Sequence, residues 1–350
     1  MTRLRRWMAG VTGGGPAFPL IVLFGLNACD ELDRTGFGIL LPEIREEFDL
    51  DLQSLLTVVA LTTFAALILQ VPIASLADRH RRVALAGSGA AAWGLFSVMT
   101  GLAPTLLLLG IARVGSGLGR AVVDPTHNSL LTDYYDIPTR ARVFSFHRAA
   151  NALGQFAGPL TAGLLAAAWG WRAPFFVFAV PTAIFTVLAL RLHEPVRGAH
   201  ERRAMGATGD AVTTEEPAPS FSEAWRIVWK IETLRRIWWS LPFLAASLVG
   251  FVSLAALQYD EVFGLDERAR GFAVAAVEPA QFIGLVIGAR VGSRLLLRGA
   301  EHVLRFLSHC AFVVSGFLVV FALAPNIGVA VVAHAAISAT LAILTPGILA

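Results

Sequence analysis

The stretch Ala74-Ser-Leu-Ala-Asp78-Arg-His-Arg-Arg82 contains an aspartate and three arginines, and long apolar runs flank it on both sides. Charged side chains at the centre of a bilayer are costly, so this stretch cannot lie in hydrocarbon. The apolar runs around it reach the roughly 20 residues that a membrane-spanning helix needs. The stretch therefore predicts a short polar loop between two membrane spans.

The composition of the whole chain is that of a membrane protein. Among its 350 residues, 56% are hydrophobic and 15% are charged, and the mean hydropathy is +0.66. Helices this apolar would have no polar face to present to water, which excludes a soluble helical core. Ten windows are long and apolar enough to span a bilayer: 17–41, 54–75, 83–103, 105–131, 143–168, 173–192, 238–257, 271–293, 305–324 and 327–349.

Basic residues are concentrated in alternate loops between these windows. They lie in the N-terminus, around Arg79–Arg82, at Arg140 and Arg142, and in the loops after the sixth and eighth windows. The intervening loops are acidic or nearly uncharged. Because cytoplasmic loops carry an excess of lysine and arginine, this pattern predicts a multi-pass protein of the cell membrane with a cytoplasmic N-terminus.

The ten windows fall into two groups separated by a polar interval. We predict an N-terminal bundle of six helices at 1–195, a cytoplasmic linker at 196–237 and a C-terminal bundle of four helices at 238–350. The linker is too long for a tight connection. Its second half, Ser220–Trp239, has a capping-box pattern and apolar residues at helical spacing, which predicts an amphipathic helix on the membrane surface.

The charged loop resembles the loop 2–3 signature of the major facilitator superfamily, Gly-x-Leu-Ala-Asp-Arg-x-Gly-Arg-Arg. Leu76–Arg79 and Arg82 match this signature, whereas Ala74 and Arg81 stand where glycines are usual. The resemblance implies an all-α, polytopic membrane protein with the major facilitator fold. Since that family normally has twelve spans and this sequence offers ten, we expect further helices, or a further domain, after residue 350.

The resemblance also implies roles for residues in two places. In this family the position of Asp78, with Arg79 and Arg82, acts as a conformational latch, because a charge pair there forms in only one of two packings. Arg113 and Gly117 resemble the fourth-helix motif of the superfamily, whose arginine is tied to proton transfer.

The fifth span combines glycines with a polar stripe. Gly154, Gly158 and Pro159 resemble the motif associated with antiporters. Small residues at this spacing also let helices approach closely, so ordinary packing is the alternative interpretation. Asn151 and Gln155 lead up to this motif, and we predict that they line the substrate path.

The first span holds an unusual density of polar residues, with Asn27, Asp30, Glu31, Asp33 and Arg34 within eight positions. Ionisable residues inside a membrane are expensive and default to functional candidates, and we predict that Asn27 beside them lines the substrate cavity. Asn27, Asp30 and Arg34 share one helix face, so Asp30 and Arg34 can pair, and Glu31 is also within reach of Arg34. With three carboxylates to one arginine, at least one carboxylate lacks a partner on this helix. A structural ion pair near the outer interface is the alternative.

The run Asn27–Pro42 resembles the first helix of spinster-type sphingolipid and lysolipid transporters, and that of organic anion:cation symporters. Glu194–Gly198 resembles the end of the sixth span in spinster-type chains. The resemblance implies that Asp33 and Arg34, together with Asp30, take part in proton sensing and gating.

The fourth span carries Arg120, Asp124 and His127 on the stripe that begins at Arg113. Arg120 and Asp124 can pair at i, i+4, which is the structural interpretation. The functional interpretation places Arg120 and Asp124 in a substrate cavity, where the arginine binds an anionic group. The families named above usually carry Glu where Arg120 stands. In the eighth span Glu278 stands alone and is a further cavity candidate.

No phosphate-binding loop and no set of residues with metal-ligand spacing occurs in the sequence, so we predict neither an enzyme nor a cofactor. Its basic residues lie in loops, which does not favour nucleic-acid binding. We predict a secondary active transporter that moves a small organic or amphipathic solute by alternating access, by proton-coupled export. Its partners are then the lipid bilayer, the solute and protons. The alternatives are a proton-coupled organic-anion importer and a non-transporting sensor or anchor module of a larger chain.

Overall fold

The computed structural model describes residues 3–214, 220–296 and 300–349, and no strand occurs within these ranges. A single 3₁₀ turn, Ile137–Thr139, precedes the longest helix of the N-terminal half. The helices are α1 (Arg3–Thr12), α2 (Ala17–Ile39), α3 (Leu41–Glu47), α4 (Leu52–Arg79), α5 (Arg82–Leu102), α6 (Leu106–Arg120), α7 (Val123–Tyr134), α8 (Arg140–Trp169), α9 (Ala173–Ala189), α10 (Ala199–Ala204), α11 (Asp210–Thr213), α12 (Phe221–Lys230), α13 (Glu232–Glu261), α14 (Glu267–Leu296), α15 (Ala300–Ala322) and α16 (Ile327–Leu349).

Each of the ten predicted windows coincides with a long helix or, for 105–131, with the pair α6 and α7. Among the described residues, four segments are long and apolar enough to cross a bilayer by length and composition: Arg82–Leu102, Leu106–Tyr134, Glu267–Gly288 and Arg305–Ala322. A fifth results when α2 is counted together with α1, which meets it at 83°. The remaining windows stay predictions of membrane spans.

The second half of the linker differs from the single amphipathic helix that the sequence predicts. The amphipathic segment 220–239 is two helices, because Ile231 has an extended backbone (φ −83°, ψ 105°) that ends α12 and precedes α13. The predicted cap is present, since the backbone N–H of Glu223 donates to Ser220 Oγ at 3.2 Å. Across the break, Trp225 stacks on Trp238 with ring centroids 5.1 Å apart. Residues 215–219 of the predicted linker lie outside the described residues.

Helix α2 lies at the centre of the N-terminal half, packed against α8 and α9. Its approach to α8 depends on two glycines of the fifth span. A Cβ at Gly154 would collide with the side chain of Glu31, and a Cβ at Gly158 would collide with that of Thr35. The close packing of α2 on α8 brings the polar residues of both helices together.

The N-terminal half of the molecule comprises α1–α9, and the C-terminal half comprises α13–α16. The two halves meet mainly through α8 and α14. A Cβ at Gly271 of α14 would lie 2.6 Å from the carbonyl oxygen of Pro159, and Gly163 faces the backbone of Glu267 in the same way. This close, antiparallel contact lies toward one end of the bundles. We call it the acidic end, because Glu43–Asp51 and Asp260–Glu267 lie there, and we call the opposite end the basic end.

Ion pairs reinforce the contact at the acidic end. Glu43 of α3 pairs with Arg270 of α14, and Arg45 of α3 pairs with Glu261 of α13. Arg270 also pairs with Asp260 at 2.6 Å and is almost wholly buried. Of the ion pairs between described residues, those that join the two halves lie at this end. The halves are therefore clamped at the acidic end in this conformation.

Candidate functional site

The polar residues of α2 face two directions, because successive residues of a helix are about 100° apart. Asp30 and Asp33 face α6, and Glu31 and Arg34 face α8. We call the charged residues that meet there the central cluster. It consists of three carboxylates and three arginines: Asp30, Glu31, Asp33, Arg34, Arg113 and Arg120.

Asp33 is fully buried and has partners on both carboxylate oxygens. Arg113 Nη1 lies 3.1 Å from Asp33 Oδ2, and the hydroxyl of Ser97 donates to Asp33 Oδ1. The guanidinium of Arg113 also lies 4.0 Å from the centroid of the Phe37 ring, as in a cation–π contact. The neighbouring Arg34 is not the partner of Asp33; the arginine of the fourth-helix motif takes that place.

Arg120 links the two aspartates of α2. Its Nε lies 3.3 Å from Asp30 Oδ1, and its Nη1 lies 3.6 Å from Asp33 Oδ2. The pairs Asp30–Arg34 and Arg120–Asp124, which helical spacing allows, are not among the ion pairs of the described residues. Asp124 is exposed and pairs instead with Arg148 at 3.3 Å.

The predicted stripe along the fourth span divides into two parts at a short break between α6 and α7. α6 ends at Arg120, with Gly117 buried one turn after Arg113, and α7 begins at Val123. Pro125 lies in the first turn of α7, where proline is tolerated, and it would disrupt a continuous helix. That proline is the sequence signal that predicts the break. Beyond it, His127 turns away from the cluster and its Nδ1 lies 3.2 Å from His147 Nε2.

The other face of α2 carries a chain of hydrogen bonds to α8. Arg34 Nη2 donates to Glu31 Oε2 at 2.6 Å, as the spacing predicts. The amide of Asn151 donates to Glu31 Oε1 at 2.9 Å, and the amide of Asn27 donates to Asn151 Oδ1 at 2.7 Å. The Arg34 side chain remains half exposed. Asn27 and Asn151 thus position Glu31, and Glu31 positions Arg34.

The charges of the central cluster balance. The expectation that one carboxylate of the first span lacks a partner holds only for α2 taken alone, since Arg113 and Arg120 of α6 supply the missing cations. These contacts join residues 80 or more positions apart along the chain, as from Asp33 to Arg113. No local spacing rule could have found them.

A fourth carboxylate reaches this region from the other half of the molecule. Glu278 of α14 lies within electrostatic range of Glu31 and Arg34 and is only 9% exposed. Its Oε2 is buried without a hydrogen-bond partner, as is Oε1 of Gln155 on α8. Within the described part of the chain, Glu278 forms no ion pair. Both residues were predicted to line the cavity, and they belong to α8 and α14, the two helices through which the halves mainly meet.

The three predicted latch residues of the loop Ala74–Arg82 lie in different surroundings. Arg82 is buried, pairs with Asp133 and lies 2.8 Å from Glu194 Oε1. Asp78 and Arg79 are exposed at the basic end. Asp133 and Glu194 were not predicted as partners of Arg82. Their only sequence signal is the position of Glu194 in the short motif at the end of the sixth span.

Arg197 holds the backbone of the same loop. Its guanidinium donates to the carbonyl oxygens of Ala77, Asp78 and His80 at 2.8, 2.5 and 2.6 Å. The carboxylate of Asp78 is therefore presented at the surface by a fixed loop. Its role as a latch stays a prediction.

The described residues contain no group of three or more His, Cys, Asp or Glu side chains that could hold a metal ion. Cys29 and Cys310 are both buried free thiols.

Comparison with curated proteins identifies transporters. The chain is 27% identical over 218 residues to the probable L-galactonate transporter of Escherichia coli (strain K12). The aligned region covers 61% of this chain and 48% of that relative. The chain is 32% identical over 147 residues to the multidrug resistance protein Stp of Mycobacterium tuberculosis (strain CDC 1551 / Oshkosh), covering 42% and 27%. The chain thus spans about half, or less, of the length of these relatives.

Solved structures show the same fold. A bacterial homologue of the human lysosomal transporter spinster, in an inward-facing and unoccupied conformation, superposes with a TM-score of 0.71 at 22% identity, over 94% of this chain and 74% of that one. The D-xylose–proton symporter gives a TM-score of 0.60 at 15% identity, over 94% and 80%. The Major Facilitator Superfamily model matches residues 23–350. The chain therefore belongs to the major facilitator superfamily, whose members are polytopic all-α membrane transporters and not enzymes.

Proposed function

We propose that this chain is a secondary active transporter that moves a small organic or amphipathic solute by alternating access, with protons as the coupling ion. The main support for the proposal is the position of Asp33. Its carboxylate is buried and is shared between Arg113 and Arg120 on a neighbouring helix. Burying ions costs several kcal/mol even when they are paired, and apolar residues would pack there at least as well. A cluster of this kind suits a function that requires charge inside the membrane.

A proton on Asp33 would change the balance of the cluster. The neutral carboxyl no longer attracts Arg113 and Arg120, and these two guanidinium groups of α6 then repel each other without the negative charge between them. Such a local change of charge biases a two-state element between its packings. Asp30 shares Arg120 and transmits the same change to the middle of α2. Arg34 responds through Glu31 and does not contact Asp33 directly.

The orientation follows from the distribution of charge. The excess of arginine at the basic end supports a cytoplasmic location for that end and for the N-terminus, by the positive-inside rule. The conformation clamped at the acidic end is then an inward-open state. The acidic-end pairs Glu43–Arg270 and Arg45–Glu261 would separate in the outward-open state, when Asp78 would act as the latch at the basic end.

Export is the favoured direction. Among the relatives are the multidrug resistance protein Stp and the multidrug efflux pump LfrA of Mycolicibacterium smegmatis, which is 29% identical over 223 residues. The glycine motif at Gly154 and Gly158 resembles that of antiporters, although its contacts with α2 also account for it by packing.

An organic-anion importer is the second candidate. Arg34 is half exposed and could meet an anionic ligand, and Arg120 Nη1, which lies 3.6 Å from Asp33 Oδ2, has no hydrogen-bond partner. The probable L-galactonate transporter of Escherichia coli is a relative of this kind. Symport predicts uptake that follows an inward proton gradient, whereas antiport predicts the opposite sign.

The test is gradient-driven uptake by the purified full chain in proteoliposomes, with the membrane potential clamped by potassium and valinomycin. An acid interior should drive ethidium into the vesicles by antiport, and an acid exterior should drive galactonate in by symport. Asp33→Asn should abolish the response to the gradient. The matched control is Asp124→Asn, which removes an exposed carboxylate outside the cluster. Gradient-driven uptake of wild-type size by Asp33→Asn, or no uptake of either solute by the wild type, contradicts the proposal.

A further inference from the structure

The central cluster is neutral, and one carboxylate beside it is not balanced. Asp30, Glu31 and Asp33 each lie within 3.6 Å of a guanidinium nitrogen. Glu278 adds a fourth carboxylate, and no described cation pairs with it. The space between the halves therefore carries one excess negative charge when every group is ionised.

Arg34 is the only cluster cation on the side of Glu278, and it is already engaged. Its Nε and Nη2 both donate to Glu31 Oε2, at 3.0 and 2.6 Å. Glu31 is in turn held by Asn151. This arrangement fixes the guanidinium on α2, although it lies within electrostatic range of Glu278.

Gln155 brings a second unsatisfied acceptor to the same place. Pro159 lies against Gly271, and Gly163 against Glu267, so α8 and α14 run antiparallel. Two turns further toward the basic end, the same register places Glu278 within one turn of Gln155. Oε2 of Glu278 and Oε1 of Gln155 are both buried without a hydrogen-bond partner. A buried acceptor left unpaired is costly, and a cation or a donor group between them would satisfy both.

We propose that Glu278 of α14 and Gln155 of α8 form the subsite that takes the positively charged group of the cargo, which makes the cargo an organic cation. This inference rests on the proposed transport function. One ligand oxygen comes from each half of the molecule, so a cation bound there contacts both halves. The anionic character of the subsite comes from Glu278 alone, because the cluster charges cancel. Arg34 and Arg120 stay with their carboxylates and do not bind the cargo.

The test compares two probes of almost the same size and opposite charge, tetraphenylphosphonium and tetraphenylborate. Equilibrium binding of each is measured to the full chain in nanodiscs of zwitterionic lipid, with protein-free nanodiscs subtracted. We expect saturable binding of the cation and none of the anion. Glu278→Gln should weaken cation binding by about tenfold or more, the equivalent of about 1.4 kcal/mol, and Glu278→Asp should keep most of it.

The control variant is Glu223→Gln, which removes an exposed carboxylate from α12 and should leave binding unchanged. Cation binding by Glu278→Gln within about twofold of wild type overturns the inference. Saturable binding of tetraphenylborate, or no binding of either probe by the wild type, overturns it as well. The binding assay requires no transport. A loss of cation binding in Glu278→Gln therefore supports the subsite even if the uptake experiment shows no proton coupling. Normal cation binding by Glu278→Gln overturns the subsite but does not bear on the proposed coupling through Asp33.

Discussion

The two halves of this molecule treat buried carboxylates differently. In the N-terminal half, Asp33 is held by Arg113 and Ser97, and Asp30 by Arg120. In the C-terminal half, Glu278 is buried to a comparable degree without a described cation to pair with it. A paired buried charge is part of the fold, and removing its partner destabilises the protein. An unpaired one destabilises the fold until a proton or a ligand arrives, which makes it the better candidate for a binding group.

The largest effect on stability is expected from removing Arg113, the partner of the buried carboxylate of Asp33. Arg113→Gln leaves Asp33 buried without its main cation, which should destabilise the N-terminal half by about 3–5 kcal/mol. Adding Asp33→Asn to this variant should restore most of the loss, since no charge is then left uncompensated. Unfolding in detergent, followed by circular dichroism with increasing denaturant, measures both. Additive losses in the double variant would show that the pair is not coupled.

Neutralising Glu278, the carboxylate without a described cation, should not reduce the stability of the protein. Glu278→Gln keeps the shape of the side chain and removes a charge that no described group balances, so it should leave the free protein equally stable or stabilise it by about 1 kcal/mol. The same unfolding assay, without any ligand, gives the result. A loss as large as that of Arg113→Gln would mean that Glu278 belongs to a structural ion pair and would remove the contrast between the two halves.

The smallest effect lies outside the membrane spans. Arg140 donates to Glu201 at 2.5 Å, and this hydrogen bond lowers the pKa of the Glu201 carboxyl. A lowered pKa stabilises the fold above the ordinary pKa of the group, and the contribution is lost as the pH falls through the lowered value. Because Glu201 is partly exposed, Glu201→Gln should cost no more than about 0.5 kcal/mol at neutral pH. The difference from wild type should vanish in acid; a constant difference would argue against the pair.

The positions of the long helices could be predicted from the sequence, whereas the ion pairs between side chains of different helices could not. Apolar windows located the long helices, because a membrane span needs an uninterrupted apolar run whatever lies next to it. The Glu31–Arg34 pair was predictable because both residues lie on one helix. Arg113 and Asp33 meet only after two distant segments pack, and no spacing along the chain encodes that contact.

The errors have local causes. The structural interpretation, in which Arg120 pairs with Asp124, assumes a continuous helix, although Pro125 lies in the first turn of a new one. The amphipathic helix of the linker was expected to continue through Ile231, where the backbone is extended and no residue type signals it. Glu278 was predicted to line the cavity because it is a lone carboxylate of its span, and its closeness to Glu31 and Arg34 depends on the packing of α14 on α8.

The most direct test of the central claim is uptake by Asp33→Asn and by wild type in the same proteoliposome preparation, driven by a pH gradient at zero membrane potential. If Asp33 shares its charge with Arg113 and Arg120 to couple protons to transport, the wild type should concentrate solute and the variant should only equilibrate it. Concentration of solute to the same level by the variant would contradict the account, because the carboxylate at the centre of the cluster would then carry no coupling proton.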